Sequence, residues 1–89
     1  METKELLKNF REQIDSLDRE ILYLLFRRFT IVDEIWKLKK KNNIPALQEE
    51  RWKELLNEKI NIWKEYWLGK DFIIDIWNRI HKESLKIET

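Results

Sequence analysis

Residues 11–39 decide the fold, and they read REQIDSLDREILYLLFRRFTIVDEIWKLK. Within this stretch, nine residues follow one another at alternating steps of three and four. This spacing puts their side chains on one face of an α-helix. A strand would instead alternate with a period of two, so the stretch predicts a helix. The face formed in this way, called the charged stripe below, consists of Arg11, Ile14, Asp18, Ile21, Leu25, Arg28, Val32, Ile35 and Lys39.

A second row of side chains widens this face into a hydrophobic surface. Three cations, Arg11, Arg28 and Lys39, and one carboxylate, Asp18, therefore lie in or beside an apolar seam. Burying charge is costly unless the charge is paired, so the cations require an anion. That anion could be a neighbouring carboxylate, such as Asp18 of a partner helix, or a bound ligand. The second row, called the apolar stripe, consists of Phe10, Ile14, Leu17, Ile21, Leu24, Ile31, Ile35 and Leu38.

The length of this helix predicts a second copy of the chain. From Thr3 to Asn42 there is no Gly or Pro, and a helix of that run would be ~60 Å long. A compact domain of this size has a radius of gyration of only ~12 Å, so the remaining residues cannot cover the helix. We therefore expect the chain to associate as a two-fold homodimer, a helical bundle in which the long helices run side by side. Arg11 and Arg28 are ~25 Å apart along one helix, so one small ligand can meet both only if Arg11 comes from the partner.

The rest of the chain predicts two shorter helices and no strand. Asn42-Asn43-Ile44-Pro45 ends the first helix near Lys41, because Pro disfavours helix at the preceding residue and Asn tolerates left-handed geometry. A second helix is expected to begin within residues 46–48 and to end near Trp67. The only glycine, Gly69, fits the left-handed position that follows a helix. A third helix is expected from Phe72 to about Ile87.

The composition of the chain restricts the classes of protein to which it can belong. The 89 residues predict a single all-α domain spanning 1–89, near the size at which one core is marginal. Lys+Arg number 18 and Asp+Glu 17, so no basic excess favours nucleic acid. The chain has no Cys and a single His, which argues against a disulfide framework or a metal centre, and we expect no cofactor. No apolar run is long enough to span a membrane, and a cytoplasmic location is expected.

One segment resembles a known family. Residues 10–18, FREQIDSLD, are similar to the opening pattern LRxxIDxLDxxIxxLLxxR of the all-helical AroQ class of chorismate mutases, and Ile21, Leu24, Leu25 and Arg28 continue it. The resemblance covers nearly the whole chain. It implies a small intertwined dimer acting as an isomerase of the shikimate branch of aromatic amino acid biosynthesis. The substrate would be chorismate, converted to prephenate by a Claisen rearrangement.

The resemblance also implies roles for individual residues. Arg11 resembles the arginine donated across the dimer to one substrate carboxylate, and Arg28 the arginine that grips the other. Lys39 resembles the lysine that hydrogen-bonds the ether oxygen of the breaking bond. Glu88 stands where the family has Gln or Glu as the second donor to that oxygen. Arg28, Lys39 and Glu88 are therefore the expected catalytic residues.

Four further positions bear on substrate binding. Arg51 and Ser84 resemble an active-site cation and a residue near a carboxylate, and Gln48 stands where a carboxylate is common. Trp52 departs from the pattern, because the family often has Glu there, in contact with the substrate hydroxyl. Trp52 resembles instead the apolar substitution of related isochorismate-pyruvate lyases. Two alternatives thus stay open beside the mutase: a lyase of that kind, and a non-catalytic, possibly engineered, helical dimer.

The residue types suit the reaction. A pericyclic rearrangement needs no nucleophile and no proton transfer. It is helped by holding the dianion in its reactive conformer and by stabilising the negative charge that develops on the ether oxygen. Arginine binds planar carboxylates with two hydrogen bonds, and lysine places a point charge at an oxygen.

Overall fold

A computed structural model describes residues 2–45 and 49–88, and these residues form three helices and no strand. The helices are α1 (Thr3–Lys41), α2 (Glu49–Lys64) and α3 (Lys70–Ile87). The predicted all-α fold with one long and two shorter helices is confirmed, whereas the expected start of the second helix, at residues 46–48, lies outside the described residues. None of the described helices is long and apolar enough to cross a membrane.

The end of α1 follows from its local sequence. Asn43 adopts a left-handed conformation, with φ of 57°. The Ile44 N–H donates to the Lys39 carbonyl at 2.9 Å, and the Asn43 N–H donates to the Lys40 carbonyl at 3.5 Å. These two hydrogen bonds form a Schellman motif, which satisfies carbonyls that the helix end leaves open. The predicted break at 42–45 is therefore confirmed.

The end of α2 differs from the prediction. The helix ends at Lys64, before the expected Trp67. Trp67 itself adopts the left-handed conformation, with φ of 64°, and the Leu68 N–H donates to the Trp63 carbonyl at 3.4 Å. Gly69 is extended, with φ of −66° and ψ of 145°, and is the N-cap of α3. Placing Gly69 in the left-handed position was wrong, because the chain turns at Trp67 although a left-handed residue other than Gly costs roughly 1–2 kcal/mol.

The chain divides into two compact units, Met1–Ile31 and Val32–Thr89. In the first unit, the described residues belong mainly to α1, and no residue of that helix is buried. The residues of the apolar stripe that lie in this unit are more than half exposed, including Phe10, Leu17 and Ile21. The assignment of 1–89 as one domain and the homodimer both stay predictions.

In the second unit, α2 and α3 pack against each other. Ile73 of α3 is 1% exposed and is the only fully buried hydrophobic side chain among the described residues. Trp63 of α2 contacts Tyr66 and Trp77, with ring centroids 5.6 and 6.5 Å apart. Contacts between aromatic rings stabilise a helix pair, and the Trp63–Trp77 contact joins α2 to α3.

Candidate active site

An ion pair between two helices marks the candidate site. The Nζ atom of Lys39, near the end of α1, lies 4.0 Å from an Oε atom of Glu88, the residue that caps α3. The two side chains are only 16% and 9% exposed. At 4.0 Å the contact is longer than a hydrogen bond. Removing both charges from water is costly, and both residues were predicted to be catalytic, so the pair marks the candidate site.

The ion pairs of Lys37, by contrast with that of Lys39, are exposed on the surface of α1. Lys37 contacts Asp33 at 3.2 Å and Glu34 at 3.4 Å, within one helical turn of α1. Its side chain is 63% exposed. The hydrogen bond and the charge of Asp33 raise the pKa of Lys37 above its usual value. Exposed pairs one turn apart are common on helices and contribute little, whereas Lys39 joins residues of two helices.

Ser84 lies one turn before Glu88 on α3. Its residue is 8% exposed, as is Glu88, and its hydroxyl donates to the Ile80 carbonyl at 3.0 Å. The Ser84 carbonyl accepts the Glu88 N–H at 3.2 Å, which closes the last turn of the helix. Residues three and seven positions apart share a helical face, so His81, Ser84 and Glu88 form one row, called the α3 row below.

His81, the first member of the α3 row, stacks on Trp52 of α2. The ring centroids are 4.1 Å apart, and the planes differ by 16°. Both residues are half-buried. The resemblance placed Trp52 at a substrate-contacting position, whereas His81 was not predicted as a site residue. The spacing of His81 from Ser84 was available as a signal, but the contact with Trp52 depends on how α2 packs on α3.

The other predicted site residues are Arg51, Gln48, Arg11 and Arg28. Arg51 is exposed at the start of α2, and Gln48 lies outside the described residues. Arg11 is exposed and Arg28 half-buried, and both belong to the first unit. A shallow depression beside Arg11 is bordered by residues of α1 itself, namely Lys4, Glu5, Lys8, Glu12 and Asp15.

The second unit thus places a largely buried lysine beside a carboxyl group, and the Ser84 hydroxyl lies one turn from that carboxyl group on the same face of α3. Lys39 supplies positive charge and N–H donors, and Glu88 accepts hydrogen bonds when ionised and donates one when protonated. Among the described residues, no group of three or more His, Cys, Asp or Glu side chains could hold a metal ion. The arrangement can offer positive charge and hydrogen-bond donors to an oxygen atom of a small molecule.

Comparison with known proteins shows the family. The model of the chorismate mutase type II family matches residues 10–89, and the chain belongs to this family. It is 32% identical over 84 residues to the T-protein of Haemophilus influenzae, an alignment that covers 94% of this chain and 22% of that protein. It is 35% identical over 85 residues to a bifunctional chorismate mutase/prephenate dehydratase of Buchnera aphidicola subsp. Schizaphis graminum, covering 96% of this chain and 22% of that protein.

A third relative is a bifunctional chorismate mutase/prephenate dehydratase of Aquifex aeolicus. It is 32% identical over 87 residues, which cover 94% of this chain and 24% of that protein. The chain therefore spans less than a quarter of the length of these relatives. No solved structure gave a significant match.

Proposed function

We propose that the chain catalyses the rearrangement of chorismate to prephenate in a cationic pocket shared between two subunits. The single observation that carries the proposal is the largely buried Lys39–Glu88 pair, at 4.0 Å. Membership of the chorismate mutase type II family supports it, as do two relatives whose names include chorismate mutase.

The chemistry matches what this pair can supply. In a Claisen rearrangement, the ether C–O bond breaks while a new C–C bond forms within the same molecule. Negative charge develops on the ether oxygen as that bond lengthens. Lys39, which is largely shielded from water, would stabilise this charge more strongly than an exposed lysine could.

Glu88 has a second role in the proposed pocket. A carboxylate only accepts hydrogen bonds, so Glu88 must be protonated to donate to the ether oxygen. Its position beside Lys39 then places two donors at one atom. Substrate binding would displace the direct Lys39–Glu88 contact, with the ether oxygen taking its place between the two groups.

The two arginines require a second subunit. Arg11 and Arg28 lie on the same helix, ~25 Å apart along its axis, too far to hold one small dianion together. The exposed apolar stripe of α1 supports pairing with another copy, because burying such side chains is the main drive for association. One subunit would then donate Arg11 to a site whose Arg28 and Lys39 belong to the other. Arg51, Ser84 and Gln48 are proposed as further substrate-binding residues.

A second candidate function is the lyase reaction of isochorismate. The stack of Trp52 on His81 favours it, because the two rings place no carboxylate at that position of α2. Incubation with isochorismate and measurement of pyruvate release would test this activity. Pyruvate release faster than prephenate formation from chorismate would favour the lyase over the mutase.

Complementation tests the shared pocket. Homodimers of Arg11→Ala and of Arg28→Ala should each be nearly inactive. When the two variants are unfolded together and refolded, half of the dimers should be mixed, and one of the two sites in each should regain both arginines. About a quarter of wild-type activity should return, and mixing without refolding should restore nothing.

A matched control separates a shared site from a site within one chain. In mixed dimers of wild type and the double variant Arg11→Ala/Arg28→Ala, every shared site lacks one arginine. Refolding them at equal amounts should therefore leave about a quarter of wild-type activity, whereas sites within one chain would leave about half. Inactive mixtures of the single variants, with heterodimers verified by two affinity tags, would contradict the shared pocket. Absence of chorismate turnover in the wild type would leave a non-catalytic helical dimer.

A further inference from the structure

The turn that follows α1 holds the backbone from which Lys39 extends. Asn43 adopts the left-handed conformation, with φ of 57°. This conformation directs the Ile44 N–H back to the Lys39 carbonyl at 2.9 Å, and the Asn43 N–H donates to the Lys40 carbonyl at 3.5 Å. The residue that carries the candidate catalytic ammonium group is therefore bonded to the turn through its own carbonyl.

Asn42 adds hydrogen bonds to the same turn. Its N–H lies 3.2 Å from the carbonyl oxygens of both Leu38 and Lys39, and its side-chain amide donates to the Leu38 carbonyl at 2.9 Å. The last carbonyls of a helix have no partner within the helix. Here the carbonyls of residues 38–40 all accept hydrogen bonds from residues 42–44, and these bonds keep the last turn of α1 helical.

The position of the Lys39 ammonium group depends on that last turn. Lys39 lies two residues before the end of α1 at Lys41, where helices commonly fray by one or two residues. Its Nζ atom lies 4.0 Å from Glu88 of α3, and its side chain is 16% exposed. Stabilisation of developing charge requires groups that are fixed before the reaction begins. A frayed turn would move the Lys39 backbone and release the ammonium group from this position.

We propose that Asn43 is a positioning residue for Lys39. Its left-handed conformation closes the turn that holds the Lys39 ammonium group beside Glu88, and Asn43 itself touches no substrate. This inference rests on the proposed function, because that function gives Lys39 its part in the reaction. Since charge on the ether oxygen develops in the transition state, a displaced Lys39 lowers kcat more than it raises KM.

Substitutions at Asn43 that differ in their tolerance of a positive φ test the proposal. Glycine adopts the left-handed conformation without steric cost, so Asn43→Gly should keep kcat for chorismate within about 2-fold of the wild type. A β-branched residue at positive φ is a genuine outlier, and a displacement of about 1 Å can cost ~10²-fold in rate. Asn43→Val should therefore lower kcat by ~10- to 100-fold, with KM within about 3-fold. Asn43→Ala should give an intermediate kcat, and it replaces Asn43→Val if that variant does not fold.

The second left-handed residue of the chain provides the matched control. Trp67 has φ of 64° in the α2–α3 connection and is 97% exposed, so its substitution removes little packing. Trp67→Val should lower the midpoint of thermal unfolding, as Asn43→Val should, because both place a branched residue at positive φ. Its kcat should nevertheless stay within about 2-fold of the wild type. A similar loss of kcat in both valine variants would mean general destabilisation and would overturn the proposal.

NMR follows the position of Lys39 without any turnover. In the wild type and in Asn43→Gly, a nuclear Overhauser effect should join side-chain protons of Lys39 and Glu88. The Ile44 amide should exchange slowly, because it donates to the Lys39 carbonyl. Both signals should be lost in Asn43→Val and kept in Trp67→Val. If Asn43→Val keeps both signals, Asn43 does not position Lys39.

The positioning role and the proposed function fail in different ways. If the wild type turns over chorismate and kcat is the same with Gly, Ala or Val at position 43, the positioning role alone is wrong. If the wild type turns over no chorismate while the contact between Lys39 and Glu88 still depends on residue 43, the proposed function is wrong. The hold of Asn43 on Lys39 would then stand.

Discussion

The two units of the chain bury their apolar side chains to different extents. In residues 2–31, the large apolar side chains of α1 are about half exposed, for example Ile14 at 55% and Leu24 at 56%. In the second unit, α2 and α3 pack together and Ile73 is 1% exposed. A single helix cannot bury its own apolar face, whereas two packed helices can. The second unit therefore forms a core within one chain, whereas we predict that the first unit depends on a partner.

The charged groups of the two units also differ in whether they are paired between helices of one chain. The second unit joins Lys39 to Glu88 within one chain. Arg11, in the first unit, is exposed on a helix whose apolar stripe is also exposed. We infer that half of the pocket is formed by the fold of the monomer and the other half by association. The predictions below test this division.

The largest effect is expected from a charge placed on the apolar stripe. Leu17→Asp puts a carboxylate into the proposed dimer interface twice, once in each subunit. It removes two leucines from the proposed interface and would place two desolvated charges there, so we expect the dimer to weaken by at least about 10³-fold. Sedimentation velocity measures the association, and activity should fall with it.

The matched control for this variant is Tyr23→Asp. Tyr23 is 60% exposed, similar to Leu17 at 55%, but it lies on another face of α1 because it is six residues further along the helix. This variant should stay dimeric. Dissociation of both variants, or of neither, would contradict an interface on the apolar stripe.

A smaller effect separates the two lysines near the end of α1. Lys39→Ala removes the charge proposed to stabilise the ether oxygen, and kcat/KM should fall by ~10²–10³-fold. Lys37→Ala removes a 63%-exposed lysine that contacts its own helix, and kcat/KM should stay within about 2-fold. Steady-state kinetics with chorismate makes the comparison. Similar activity in the two variants would exclude Lys39 from the reaction.

The smallest effect concerns pH. Because Glu88 donates only when protonated, the activity of the wild type should fall as pH rises and the proton is lost. Glu88→Gln has a donor at every pH, so its pH–rate profile should be flatter on the alkaline side. Glu83→Gln is the control, because Glu83 pairs with Lys86 on the surface of α3 at 3.1 Å. Superimposable profiles for wild type and Glu88→Gln would remove Glu88 from the catalytic step.

Local sequence predicted the helices well where a single strong signal was present. The bounds of α1, Thr3–Lys41, follow from its uninterrupted period and from the left-handed Asn43 at its end. The α2–α3 connection was predicted less well. Glycine is the usual left-handed residue, yet Trp67 takes that conformation and Gly69 does not. Which residue turns the chain there depends on how the two helices pack, and a weak local preference does not outweigh that packing.

For the candidate site, too, some features follow from the sequence and others only from the tertiary structure. The sequence by itself determined that Arg11 and Arg28 share a helix and cannot meet at one ligand, because helical rise is a local property that the periodicity reveals. The resemblance to a known family singled out Lys39 and Glu88, but their 4.0 Å contact exists only in the tertiary structure. The stack of Trp52 on His81 was not foreseen. Both contacts join residues far apart in the chain, so they depend on the angle and register between helices, which no local pattern encodes.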